Sequence, residues 1–334
     1  MQFNKLLLPL AASAILTASL LGLGGCSSSE AAGPTGAARG ALKTQAPAYY
    51  RMQLGDFEIT ALSDGTVPLP LDQMMSNISP DEVRQLLAAS FETLPVETAI
   101  NAYLVNTGSK LLLIDAGAGK LFGPYGNRLL ANLRAAGYGP EEIDAVLLTH
   151  LHGDHSGGLT VDGQRMFPNA TVYLDKADRD YRFSAQAEAA APANQKSMFS
   201  QSRESLAPYE AVNKVSLFQG AAQLFPGIST VAAHGHTPGH TLYSIESQGQ
   251  KMVFFGDLVH AAAVQLPQPQ ATISFDADEP AAAADRIAMF GNFAAQRTLI
   301  AAAHISFPGL GYLRTSGAGY QWVPVPYSLR GMTN

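Results

Sequence analysis

The sequence predicts an α/β fold in which buried sheets are covered by helices. Three observations lead there. Apolar runs of strand length alternate with stretches of helical periodicity. Several of the apolar runs end in a histidine or an aspartate, as a site at the edge of a buried sheet requires. The chain has 334 residues, 47% hydrophobic and 14% charged, ample for one large core or two fused half-sheets.

Met1–Gly25 holds one early charge, Lys5, then the apolar run Leu6–Leu23, and leads into Leu23-Gly24-Gly25-Cys26. This reads as a bacterial lipoprotein signal over residues 1–25, with Cys26 the first mature, lipidated residue. An ordinary secretory signal and an uncleaved anchor are the alternatives. The product is expected to be exported, either periplasmic or anchored by lipid at the outer membrane, a destination that Ser27 favours. Cys26 is the single cysteine, so no disulfide forms within the chain. Residues 26–48 are rich in Ser, Ala, Gly and Thr and are expected to form a flexible tether. The globular domain then occupies residues 49–334.

Within it, strand signals fall at Phe57–Leu62, Tyr103–Asn106, Leu111–Asp115, Ala145–Leu148, Thr171–Leu174, Ile228–Ala233, Thr241–Glu246, Met252–Phe255 and Thr298–Ala301. Helical patterns fall at Pro80–Ser90, Arg128–Ala136, Lys176–Ala190 and Pro280–Phe290. Ser247-Gln-Gly-Gln250 lies between two strand-like runs and reads as a hairpin turn. The Ala- and Gln-rich region Asp175–Tyr209, with scattered aromatics, is expected to be a lid or wall. There is no short tandem repeat and no second domain with a motif of its own.

The chemistry concentrates in Thr149-His150-Leu151-His152-Gly153-Asp154-His155, where four side chains that bind metals lie within six residues. All eight histidines lie between His150 and His304. The others follow later apolar runs: His234, His236 and His240 after one predicted strand, Asp257 and then His260 after a second, and His304 after a third. The formal net charge of −6 becomes one unit more negative once residues 1–25 are set aside, a poor footprint for nucleic acid.

His150-x-His152-x-Asp154-His155, His236-Thr-Pro-Gly-His240, Gly256-Asp257 and His304 resemble the metallo-β-lactamase superfamily in order and spacing. Leu113-Ile-Asp115-Ala-Gly117 resembles its strand and turn carrying a supporting Asp. Within the superfamily the chain resembles methyl parathion hydrolase and its relatives. The residues behind this are Tyr49–Met52, Gly55–Thr66, Tyr103–Lys110 and Ala301–Gly309.

The resemblance implies a four-layer αβ/βα sandwich with two divalent ions at one edge between the sheets. One ion is expected to take His150, His152 and His236, the other Asp154, His155 and His304, with Asp257 bridging both. Seven ligands exceed what one tetrahedral ion accepts. Zinc suits these donors, while manganese, iron and cobalt are not excluded by ligand type. The implied nucleophile is a metal-bridging hydroxide, so no Ser or Cys nucleophile is required. Asp154 and Asp257 are the candidate catalytic proton carriers. Asp115 and His240 are expected to support the ligands, with Asp64 either a second support or a plain turn residue.

In the resembled branch an aromatic pocket receives the leaving group. Its positions match Phe122, Arg182 and Phe199 here, with His260 and Phe275 at further wall positions. Arg182 stands where the family has an aromatic, His260 where it has an apolar residue, and Phe275 where it has a smaller aliphatic. These departures argue against efficient hydrolysis of bulky neutral phosphotriesters. They favour an aryl ester or lactone, whose product carboxylate Arg182 would attract.

The expectation is therefore a dinuclear metal-dependent hydrolase of small-molecule aryl esters or lactones. An organophosphate triesterase is the alternative. A non-catalytic, surface-anchored binding protein is the rival of another class, disfavoured because none of the seven ligands is missing. The family also suggests a homodimer. A β-lactamase of the cysteine-ligand type would need a Cys near the second metal, and Cys26 stands in the signal. A di-iron flavoprotein would carry Glu at position 152 and a flavin domain. A glyoxalase-type thioesterase would want more basic residues near the C-terminus than Arg314 and Arg330.

Overall fold

The computed structural model describes residues 42–331. The expected signal, the lipidation site Cys26 and the tether as far as residue 41 lie outside the described residues. From Gln45 onward the chain forms one compact unit. Residues 45–47 are exposed and without regular structure. The domain takes hold at Ala48, whose N–H donates to Asn132 Oδ1 at 3.0 Å and whose carbonyl accepts from Ser63.

Two seven-stranded sheets form the centre. The first runs in the order Tyr49–Leu54, Phe57–Leu69, Val96–Asn106, Leu111–Ile114, Ala145–Leu147, Thr171–Asp175 and Val215–Phe218. Its last four strands are parallel. The second runs Gln223–Phe225, Ile228–Ala232, Thr241–Ser247, Gln250–Phe254, Leu299–Ala301, Leu310–Ser316 and Gly319–Pro324. It is antiparallel except where Gln250–Phe254 pairs with Leu299–Ala301.

Alternation along the strands sets the layers, because successive side chains point to opposite faces. Ile59, Tyr103, Leu112, Ile114 and Leu147 of the first sheet pack against Ile228, Tyr243, Met252 and Phe254 of the second. Their neighbours Leu104, Leu113, Val146 and Val172 face outward onto Leu129, Leu133, Leu206 and Tyr209 from helices Leu129–Ala135 and Lys196–Glu210. On the far side, Leu242, Val253 and Ile300 meet Phe290 and Phe293 of helix Glu279–Gln296. This is the four-layer αβ/βα sandwich.

Each predicted strand overlaps an observed one. The turn at Gln248 and Gly249 has positive φ at both central residues (50° and 72°), which matches the twist of a two-residue hairpin. The structure differs at four helices. Lys176–Ala190 is two helices, Lys176–Arg182 and Ala185–Ala190, because Ser184 turns extended and caps the second by accepting from Ala187 N–H. Helix Lys196–Glu210 occupies part of the expected lid. The last long helix reads through Gly291 and stops at Arg297, which adopts φ 51°. The helix expected from Arg128 starts at Leu129. No helix among the described residues is long and apolar enough to cross a membrane.

The parallel strands bring their carboxyl ends to one edge, where open α/β sheets place ligand sites. Asp115 follows Leu111–Ile114, the His150–His155 loop follows Ala145–Leu147, Asp257 follows Gln250–Phe254, and His304 follows Leu299–Ala301.

Candidate metal centre

Thr149 begins the first ligand loop and is fixed by Asp115. Its N–H donates to Asp115 Oδ1 at 2.8 Å and its hydroxyl to Oδ2 at 2.9 Å. Asp115 holds φ 60°, a left-handed value that Asp tolerates better than most residues. His152 then starts the short helix Gly153–Ser156, which carries Asp154 and His155 to the same side. On the second sheet, His240 Nδ1–H donates to Ala233 O at 3.1 Å, leaving Nε2 to accept from Asp257 N–H at 2.9 Å. Burial holds His240 down to about 3, so it stays a neutral acceptor.

The seven expected ligands come together in two groups. His150, His152, His236 and Asp257 offer donor atoms within 4.8 Å of one another, and so do Asp154, His155 and His304. Asp257 lies between the groups. Its Oδ2 is 3.2 Å from His236 Nε2 and 3.6 Å from His150 Nε2. Its Oδ1 is 3.1 Å from both His155 Nε2 and His304 Nε2. Asp154 Oδ2 is 3.6 Å from the same two nitrogens. Donors about 2.0–2.2 Å from one tetrahedral ion stand roughly 3.4 Å apart, so these separations suit shared cations.

The buried Nε2 atoms of His150, His155 and His304 and Oδ1 of Asp257 have no hydrogen-bond partner among the described residues. Unpaired buried polar atoms are costly, and a cation among them removes the cost. The opposite ring nitrogens are each held. His155 Nδ1–H donates to Asp115 Oδ2 at 2.7 Å, His236 Nδ1–H to Asp276 Oδ1 at 2.8 Å, and His304 Nδ1–H to Ala99 O at 2.8 Å. His150 Nδ1 is 3.0 Å from the Thr149 hydroxyl. Orienting partners of this kind usually accompany metal-ligating histidines. Charge fits as well. Burial pushes the imidazoles down, yet Asp257 with Asp154 and Asp115 drives His155 well above its usual range, and Asp257 with Asp276 lifts His236 to about 9. A field that draws protons this strongly also draws divalent cations.

Asp64 accepts from the N–H groups of Ala118, Arg128 and Leu129 and touches no expected ligand in this network, so it is a turn and helix-start residue. Two residues that hold the site escape a sequence reading. Asp276 precedes Asp278, the N-cap of the long helix, and looks like a second capping residue until its bond to His236 is seen. Asp178 accepts from Leu151 N–H at 2.6 Å, and Gly239 passes so close that an added Cβ would lie 2.4 Å from Asp178 N.

A cavity of about 330 Å³ opens onto this edge. His152, Asp154, Asp257 and His304 lie on its lining, along with Leu69, Phe122, Tyr125, Met198, His260 and Phe275. Of the expected pocket residues, Phe122, His260 and Phe275 line this cavity. Arg182 and Phe199 are not in the lining. Both are buried, and the Arg182 guanidinium stacks 5.1 Å over the Phe199 ring. Arg182 ends its helix and Phe199 lies in the first turn of the helix from Lys196, and the charge of Arg182 is still felt at His152, which it helps, after burial, to hold neutral.

Comparison with known proteins gives a consistent picture. A family model described as the metallo-beta-lactamase superfamily matches residues 95–292. The solved structure of a hydrolase in the beta-lactamase superfamily, AbOPH, is 36% identical, covers 85% of this chain and all of its own, and superposes with a TM-score of 0.81. AidC, a dizinc quorum-quenching lactonase solved with the product N-hexanoyl-L-homoserine, is 26% identical and covers 84% of this chain and 98% of its own, at a TM-score of 0.79. An atrochrysone carboxyl ACP thioesterase of Passalora fulva is 37% identical over 81 residues, 24% of this chain and 22% of its own. The chain thus spans less than a quarter of the length of such thioesterase relatives.

Proposed function

This chain belongs to the metallo-beta-lactamase superfamily and is a hydrolase of its metal-dependent kind, and from that premise we propose that it cleaves lactones or aryl carboxylic esters. The observation that carries the reading is the cavity. Carboxylates and imidazoles lie at the metal edge, Phe122, Tyr125, Leu69, Met198 and Phe275 form apolar walls, and among the described residues no Lys or Arg lines it. Such a space admits a neutral substrate with an aromatic or aliphatic group. AidC supports the lactone class by likeness. The resemblance to methyl parathion hydrolase supports the aryl leaving group.

With two divalent cations bound by the seven ligands, the centre supplies activated water near neutral pH and positive charge against the substrate oxygen. The chain's own residues do the rest. Phe122 and Phe275 would hold an aryl or acyl group by ring contact. Asp115, Asp276 and the Ala99 carbonyl keep His155, His236 and His304 in one tautomer and one orientation. Asp154 retains 18% side-chain exposure on the cavity side, against 2% for Asp257, and is the better placed carrier of a proton to the leaving group.

The test is hydrolysis by purified, zinc-loaded protein of a phenyl ester, an aromatic lactone, an N-acyl homoserine lactone, an acyl thioester and methyl parathion, each with and without chelator. Chelator-sensitive turnover of ester or lactone, well above the others, is expected. Phosphotriester turnover in the lead would overturn the substrate class and favour the organophosphate hydrolases. A thioester lead would also overturn it.

Export and lipid attachment at Cys26 are proposed on the signal-like sequence of residues 1–26 alone. In a bacterial host, Cys26→Ser should move the protein from the membrane to the soluble fraction. An unchanged distribution would count against a lipid anchor.

A further inference from the structure

His260 lies outside the seven-ligand set, yet it is built into the same centre. We infer that His260 is an additional ligand of the cation held by Asp154, His155 and His304, an inference that rests on the metal-centre reading above. The donor atoms of His260, Asp257 and His304 lie within 4.8 Å of one another, as close as those of Asp154, His155 and His304. The His260 ring stacks on His304, with centroids 5.2 Å apart and planes 19° from parallel. Its Nε2 is 3.0 Å from Asp257 Oδ2. That oxygen also faces His150 and His236, so His260 stands at the seam between the two groups. His304 carries the choice of cation, because it belongs both to this group and to that of Asp154 and His155; Asp257 is common to His260 and the other group, and the His236 ring lies 4.9 Å away by centroid.

The surroundings favour a donor over a wall residue. His260 is 4% exposed, and its Nδ1 is buried without a hydrogen-bond partner. Its backbone is nonetheless pinned. Gln265, fully buried, accepts from His260 N–H at 2.7 Å and from Ala261 N–H at 3.1 Å through the same side-chain oxygen. This fixes the Cα while the ring keeps one bond, to Asp257. His155, His236 and His304 each have a second partner behind the ring, whereas His260 Nδ1 has none among the described residues. It is thus an imidazole whose backbone is fixed and whose ring is set beside the cation position by Asp257 and by stacking on His304. Ligation exchanges one donor for another and transfers no electrons.

The measurement is proton NMR of the purified protein loaded with cobalt. Each imidazole bound to the paramagnetic ion gives one strongly shifted, solvent-exchangeable N–H signal. The seven-ligand set contains five imidazoles, so six signals are expected in the parent. His260→Leu should lose one signal and keep five, and the five also report that the variant folds. The cobalt ion released first by chelator should leave His260→Leu roughly tenfold more readily, the scale on which changes around a metal site act. His260→Gln, which can still donate to Asp257, should behave as the leucine variant does. Five signals in the parent, chelator release within twofold of the parent in His260→Leu, or full recovery in His260→Gln would each overturn the assignment. The readout is independent of turnover, so failure of the ester and lactone substrates leaves this test intact. Failure to bind any cobalt would sink the metal-centre reading together with it.

Discussion

His236 hangs between two carboxylates, with Asp257 3.2 Å from Nε2 and Asp276 2.8 Å from Nδ1. The second contact costs the chain a buried acid, which Ile273 N–H and the distant Arg286 guanidinium partly compensate. Asp276→Asn should therefore weaken the cation at His150, His152 and His236 by roughly 10–100-fold and leave the other nearly unchanged. A chelator titration of the zinc-loaded protein would show this as two separated release steps. Release of both ions at the parental chelator concentration would show that Asp276 is merely a packed acid. Gly256 makes an equally local demand. It has φ 54°, and a Cβ there would stand 2.5 Å from His240 Nε2, the atom that receives Asp257 N–H. Gly256→Ala should lower the urea midpoint by the equivalent of about 1–3 kcal/mol and reduce bound metal together. A variant with parental midpoint and full metal content would refute the close-approach argument.

At the scale of elements, the wall beside the metals is helix Lys196–Glu210. Ser197, Met198 and Gln201 line the cavity, while Leu206 and Tyr209 pack into the outer core. The helix is tied to the ligand loop by Ser202, whose hydroxyl donates to Leu151 O at 2.6 Å. Ser202→Ala leaves that buried carbonyl without this donor and should cost about 1–3 kcal/mol, read by urea denaturation, with metal content retained. A change under about 0.5 kcal/mol would mean the wall is held by packing alone. This helix also marks a limit of legibility. Its sequence, Lys-Ser-Met-Phe-Ser-Gln-Ser-Arg-Glu-Ser, is polar on most faces and carries Pro208 near its end, so periodicity alone gave only a lid. The strands that end in His or Asp were legible because an apolar run and a ligand reinforce each other. The hairpin Leu310–Ser316 with Gly319–Pro324 was not, because Phe-Pro-Gly-Leu-Gly reads as loop and the exposed edge strand is half polar. Ligand types were likewise legible, but their supports at Ala99 and Asp276 come from segments whose approach only the fold creates.

Across the whole molecule, the centre joins the two sheets. His150, His152, Asp154 and His155 come from the first, and His236, Asp257 and His304 from the second. Each proposed cation takes ligands from both, and each is thus a crosslink between two half-structures that otherwise meet through apolar contacts such as Tyr103 on Phe254 and hydrogen bonds such as Tyr243 O–H to Leu148 O. A ligand that binds only the folded chain stabilises it by about 2.7 kcal/mol at a hundredfold excess over its dissociation constant, so two such sites contribute roughly 5 kcal/mol. For a domain of this size each kcal/mol moves the melting temperature by about 2–4 °C, which predicts a rise of roughly 10–20 °C on loading. Thermal melts of metal-stripped and zinc-loaded protein measure it directly. His304→Ala removes one ligand of one ion and should forfeit about half of the rise, whereas Phe275→Leu, in the cavity wall and outside the seven ligands, should keep it all. Melting within about 2 °C with and without zinc would mean that the sheets hold each other through their own packing and hydrogen bonds and that the ions serve chemistry only.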